Sequence, residues 1–204
     1  MQPGLDQKIP ELDYPAFAGI PVSEKYKKVN GIAVLGSHAA TVEKAPFHDD
    51  SWLIFACSPH NLEHRTLPRV DMWSETHKPV QDKTRSYRYL KAVSELPCPV
   101  VMRDLENMGQ FPNAVVYPEA AVTEDFGPFF KTSSIALMMA IAIQECERNG
   151  YERLGLWGIM QASNQEFVYQ RPWIQALIWQ AVERGIDVYA PRESALFEPP
   201  AEVW

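Results

Sequence analysis

Short apolar runs, several of them closed by a glycine or a polar turn, alternate along this chain with stretches of helical spacing. Gly31 to Gly36, Trp52 to Cys57, Val100 to Met102 and Arg153 to Gly158 read as buried strands. Val70 to Glu75, Ala114 to Tyr117 and Ile186 to Ala190 read as weaker ones. Between them, Thr84 to Leu96 places Tyr87, Leu90, Val93 and Leu96 three residues apart, the spacing of a helix face. Ser134 to Asn149 is apolar almost all round from Ile135 to Ile143, with a serine to cap its start and Asn149-Gly150 to stop it. Trp173 to Arg184 predicts a further helix ending at Gly185, and Ser37 to Thr41 opens a short one. A continuous apolar strand is buried on both faces, which demands helices on both sides of a parallel sheet. Right-handed crossovers then predict a single Rossmann-like α/β domain with a mostly parallel, doubly wound sheet.

At 204 residues the chain suits one core. Residues 1–28 are Pro-rich and aperiodic and read as an arm lying on the domain of residues 29–204. No apolar run approaches the ~18 residues a membrane span needs. The opening stretch lacks the basic start and apolar centre of a secretory signal. Cys57, Cys98 and Cys146 are widely spaced, without metal-ligand pattern, and read as buried free thiols of a reducing compartment. These features predict a cytoplasmic protein. A formal net charge of −7 argues against a protein that coats nucleic acid. Trp52, Trp157 and Trp179 read as core residues.

In an open parallel sheet, ligands bind beyond the carboxyl ends of the strands, near the reversal of strand order. The candidates therefore follow the strands. Gly36-Ser37-His38 closes the first; its glycine would let backbone approach a ligand, or simply makes a tight turn. It is neither a G-x-G-x-x-G nor a P-loop. Cys57 to Asn61 follows the second strand, Glu75 to His77 the third, and Arg103-Asp104 the fourth. Lys131-Thr132-Ser133-Ser134 precedes the strongest helix, where hydroxyls and free N–H groups suit a phosphate or carboxylate, or serve as a plain cap. Gly158 ends a central strand and leads into a polar loop, Ser163 to Pro172, carrying Glu166, Tyr169, Gln170 and Arg171. Arg171 is suited to clamp an anion bidentately. Three of the five histidines, His38, His60 and His77, sit at strand ends and suit proton transfer near neutral pH. Their spacing matches no zinc motif, so no metal is expected.

From Thr132 to Ala195 the order of segments resembles the C-terminal half of bacterial lipooligosaccharide sialyltransferases and related Rossmann-like glycosyltransferases. That pattern is a threonine-serine-small turn, an apolar helix, a G-Y-x-x-I-x-L-x-G-I-D strand, a polar loop, a helix and a last strand. Here it reads T-S-S-I-A-L-M-M-A-I-A-I, G-Y-E-R-L-G-L-W-G-I-M, E-F-V-Y-Q-R-P and G-I-D-V-Y-A-P. Val34-Leu-Gly-Ser-His38 and Cys57-Ser-Pro-His-Asn61 match the family's first two strand ends. A tailed-bacteriophage origin, hence a host-cytoplasm location, is part of the same resemblance. The resemblance implies a donor nucleotide held without metal by Gly36, Ser37, Thr132, Ser133 and Ser134. The family's general base is a histidine in the loop before the penultimate helix; Y-Q-R-P stands there in this chain, and Met160 replaces the aspartate of G-I-D. A base would then be Glu166 or a strand-end histidine such as His60.

The expected function is a metal-independent glycosyltransferase that takes a nucleotide or nucleotide-sugar as substrate and needs no cofactor. The nucleotide-binding set is Gly36, Ser37, His38, Asn61, Thr132, Ser133, Ser134, Gly158, Tyr169, Gln170 and Arg171, and the catalytic pair His60 and Glu166. The acceptor is open between a modified DNA base and a glycan. A non-catalytic nucleotide-binding or assembly module, which would self-associate as a homo-oligomer, and a nucleotide hydrolase are the alternatives.

Overall fold

The computed structural model describes residues 15, 17–20, 27–57, 61–62, 67–77, 86–103, 105–160 and 165–197. Seven strands among them form one sheet: β1 (Gly31–Leu35), β2 (Trp52–Ala56), β3 (Met72–Glu75), β4 (Val100–Met102), β5 (Ala114–Val116), β6 (Arg153–Trp157) and β7 (Asp187–Tyr189). Every pairing is parallel, in the order β5-β4-β3-β2-β1-β6-β7. The chain therefore steps outward from β1 to β5, crosses back to β6 on the other side of β1, and steps outward again to β7. The reversal of order lies between β1 and β6.

Strand alternation sends successive side chains to opposite layers. Ile32, Val34, Leu53, Phe55, Leu154 and Leu156 join one core, while Ala33, Leu35, Ile54, Ala56 and Trp157 join the other. The helices divide in the same way. On the first face lie α3 (Glu119–Phe126), α4 (Ser134–Asn149) and α5 (Gln165–Glu183); on the second lie α1 (Ala39–Val42) and α2 (Tyr87–Ser94). Right-handed crossovers require this division, because the two directions of travel along the sheet put helices on opposite faces. The doubly wound α/β architecture expected from the alternation is thus the one observed.

Helix α4 has the predicted bounds. The Ser133 hydroxyl accepts from the Ala136 N–H at 3.1 Å, and Gly150 closes the helix in the left-handed conformation. Ala136 to Ile143 are all buried, as an all-round apolar stretch must be. Three details differ from expectation. Helix α3 was not predicted, although Pro118 before it and Gly127 after it are the usual brackets of a helix. Helix α5 begins at Gln165, not Trp173, so Glu166, Tyr169, Gln170 and Arg171 lie on its first two turns and not in a loop. Pro172 sits inside it, where it has no N–H for the carbonyl four residues back; burial of Ile174, Leu177, Ile178 and Ala181 outweighs that loss. Finally, Trp52 and Trp157 are core residues, but Trp179 is 66% exposed. It lies on the opposite side of α5 from Leu177 and Ala181.

The arm contributes too. Val116 donates its N–H to the Pro15 carbonyl at 2.9 Å, and Phe17 donates to Val116 at 3.0 Å, so this segment lies along the edge of β5. Phe17 and Ile20 are buried in the first core.

Candidate functional site at the carboxyl edge of the sheet

At the reversal point, β1 and β6 end in glycines that touch backbone to backbone. The Gly36 N–H donates to the Trp157 carbonyl at 2.8 Å, and the His38 N–H donates to the Gly158 carbonyl at 2.9 Å. A Cβ on Gly36 would stand 2.3 Å from the Gly158 oxygen, and one on Gly158 would stand 2.4 Å from the Gly36 oxygen. Gly158 also has a φ of +69° and donates its N–H to the Thr41 hydroxyl at 2.8 Å. The space that Gly36 leaves is thus taken by Gly158. The helix after it, α1, has four residues, and its His38 makes no side-chain cap.

Asn61 ties this junction to β2. Its side-chain amide donates to the Gly36 carbonyl at 3.2 Å and to the Cys57 carbonyl at 2.8 Å. Two carbonyl oxygens around one end of the amide fix that end as the NH2. The other end, Oδ1, is buried and has no hydrogen-bond partner among the described residues. An unpaired buried carbonyl is costly and calls for a donor.

Two strands further along, the end of β3 meets the start of α4. Met72 and Trp73 belong to opposite cores, so Ser74 shares the α4 side with Met72, and Glu75 the α2 side with Trp73. The Ser74 hydroxyl is buried without a partner among the described residues. On the other side, Glu75 is buried and accepts from the Tyr89 hydroxyl. Just past the strand, the Thr76 hydroxyl lies 2.7 Å from the Ser134 hydroxyl, and His77 Nε2 lies 3.1 Å from the same oxygen. Ser133 is spent on capping, and Thr132 turns its hydroxyl back toward the Phe130 carbonyl at 3.5 Å. Beside them Lys131 and Arg103 both pair with the carboxylate of Glu119, Arg103 at 3.1 Å. The amino end of α4 carries the partial positive charge of a 16-residue helix.

The predicted residues therefore fall into groups. Gly36, Ser37, His38, Asn61 and Gly158 cluster at the β1–β2–β6 junction. Ser133 and Ser134 stand at the amino end of α4, opposite β3 instead of β1. Parallel strands are about 4.8 Å apart, so the ends of β1 and β3 are separated by about 10 Å along one edge of the sheet. Gln170 and Arg171 are half-buried on α5 and engaged with other groups. His60 lies outside the described residues, as do the side chains of Glu166 and Tyr169. Sequence reading passed over Glu119, which opens a helix it did not foresee. Among the described residues, no three His, Cys, Asp or Glu side chains gather as a metal site, and no helix is long and apolar enough to cross a membrane.

A parallel sheet whose strand order reverses beside β1, with helices on both faces, defines a Rossmann-like α/β fold with a ligand edge at its strand carboxyl ends. Among solved structures, the chain is similar to the sialyltransferase CstII from Campylobacter jejuni in complex with a substrate analogue, cytidine-5′-monophosphate. The two are 16% identical, with 79% of each chain covered and a TM-score of 0.51. A second CstII structure with cytidine monophosphate, of a point mutant, is 12% identical, with 78% of this chain and 81% of that one covered and the same TM-score, 0.51. At such identities the likeness is one of fold. No protein-family model and no curated protein matches the sequence.

Proposed function

We propose that this protein binds a nucleotide or nucleotide-sugar along the carboxyl edge of β1, β2 and β3, and that it transfers the sugar without a metal. The observation that carries the reading is the buried, unpaired Oδ1 of Asn61 beside the reversal point. It is an acceptor without a donor in the place where this fold takes its ligands, and a ribose hydroxyl or a base amino group supplies one. The amino end of α4, with Ser134 and the neighbouring Lys131 and Arg103, suits the phosphates. Complexes of fold neighbours with cytidine monophosphate support a nucleotide ligand. Gln170 and Arg171 on α5, with Tyr169 and Glu166, complete the proposed surroundings.

Thermal unfolding with cytidine, uridine and guanosine phosphates and their sugars tests this. A ligand at a hundred times its Kd stabilises by about 2.7 kcal/mol, which in a chain of this size raises Tm by roughly 5–10 °C. Asn61→Ala should abolish the increment. A Tm that no nucleotide moves would refute the proposal; binding without sugar release would favour a non-catalytic nucleotide module.

A further inference from the structure

We infer that the outer face of α5 is the contact between two copies of this chain, which pair through it as an antiparallel, two-fold dimer. This pairing is independent of the proposed nucleotide chemistry. From Pro172 to Val182 the helix carries no charged residue, reading P-W-I-Q-A-L-I-W-Q-A-V. Ile174, Leu177, Ile178 and Ala181 are buried, while Trp173, Trp179 and Val182 are exposed. A helix that is apolar all round is a covered helix. The same composition in α4 is buried throughout from Ala136 to Ile143, whereas α5 keeps one side open to water.

Neighbouring segments widen this face. Phe129 is 70% exposed and stacks on Trp173, with ring centroids 6.0 Å apart and planes 20° from parallel. On the other flank, Gln175 Nε2 donates to the Leu196 carbonyl at 2.7 Å, which sets the exposed Phe197 beside the turn leading to Trp179. Five of the seven large apolar side chains exposed among the described residues thus lie on or beside α5. Together they expose about 500 Å². A stable dimer buries roughly 800 Å² per partner, about 60% of it apolar, so the patch has the apolar area of one side of such an interface.

The pattern on the face identifies its occupant. A stretch without charge offers no ion pair to a charged partner, and a chain of net charge −7 is repelled by acidic surfaces, so its complement is another apolar face. In a two-fold pair the face has to complement itself. Ala176 supplies the centre: small and half-buried, it lets two helices approach to the roughly 8–10 Å of close packing. At about 100° per residue, Pro172 and Trp179 fall on the same flank of Ala176, about one turn before it and one turn after. A two-fold axis across the helix at Ala176 exchanges those heights. The exposed indole of Trp179 in each copy then covers the exposed Pro172 of the other, twice by symmetry, and Ala176 meets Ala176 at the axis.

The test uses the full chain. Interfaces of this size hold with micromolar or tighter Kd, so sedimentation velocity from about 0.1 to 100 µM should show twice the mass of one chain at the upper end. Trp179→Glu should weaken the dimer about 100-fold or more, with the far-ultraviolet circular dichroism of the parent. Ala176→Cys should link the two copies covalently under a mild oxidant, because the native cysteines are buried and cannot compete. Lys91→Cys, exposed on α2 across the sheet, should stay unlinked. A parent chain that remains monomeric at about 100 µM would overturn the inference. So would a Trp179→Glu chain as dimeric as the parent, or a dimer that Lys91→Cys links as readily as Ala176→Cys.

Discussion

Gly36 shows how one residue type serves two readings. A glycine after the first strand of a parallel sheet suggests backbone approaching a ligand, but here the approaching backbone is that of Gly158. Its function is to let two adjacent strands end in contact, which holds the carbonyl of Gly36 where Asn61 can bridge it to Cys57. Gly36→Ala would set a methyl group 2.3 Å from a main-chain oxygen that no rotamer change can move. Overpacking of this kind costs roughly 1–3 kcal/mol, or more. We expect Tm to fall by several degrees and nucleotide binding to weaken with it; an alanine variant that melts with the parent would show that the junction is not tight. Asn61 makes the reverse point. Its type and its place after a strand were readable, but only the structure shows that one end of the amide is doubly engaged and the other open.

At the scale of elements, the strongest periodic signal, that of α4, predicted its own bounds because its caps and its burial are both local properties of residues 133–150. What α4 touches is less local. Its buried Glu145 accepts the Ile20 N–H at 3.1 Å and pairs with Arg148, so the helix anchors the arm from a distance of 125 positions. Glu145→Ala leaves a buried N–H without its acceptor and a cation without its partner, a loss of about 1–3 kcal/mol. Differential scanning calorimetry should show a Tm lower by roughly 2–10 °C, and proteolysis should open the arm first. An unchanged Tm would mean that the arm adds nothing to the fold. Helix α5 was foreseen too short, because Pro172 reads as a stop in sequence, while the face from Ile174 to Ala181 is buried in the core shared with α4 and overrides it.

Over the whole molecule, both cores share one continuous sheet, so it should unfold as a unit. The three cysteines report on this from separate places: Cys57 after β2, Cys98 before β4 and Cys146 on α4, all buried as free thiols. Burial pushes the Cys98 thiol up to about 12, with the charge of Asp71 adding to it. Burial likewise raises Cys146 to about 12, helped by Glu145 and Glu147. At pH 8 these two are thiols, not the reactive thiolates. A thiol reagent should therefore label the native chain only through global opening, and all three cysteines together across the denaturant transition, as resolved by peptide mass analysis. One cysteine labelled well ahead of the others would divide the molecule into separately unfolding parts.

The succession of strands along the chain, the burial of the central ones and the caps of α4 were legible in the residues alone. Apolarity and period act between near neighbours, and each apolar run has to be covered whatever its partner. Which strand pairs with which is decided by packing across the whole chain. The order β5-β4-β3-β2-β1-β6-β7 puts the amino end of α4 beside β3 instead of β1. That placement joins His77 to Ser134 across 57 positions. No local pattern encodes such a meeting, because it depends on where the long return from β5 to β6 crosses the sheet.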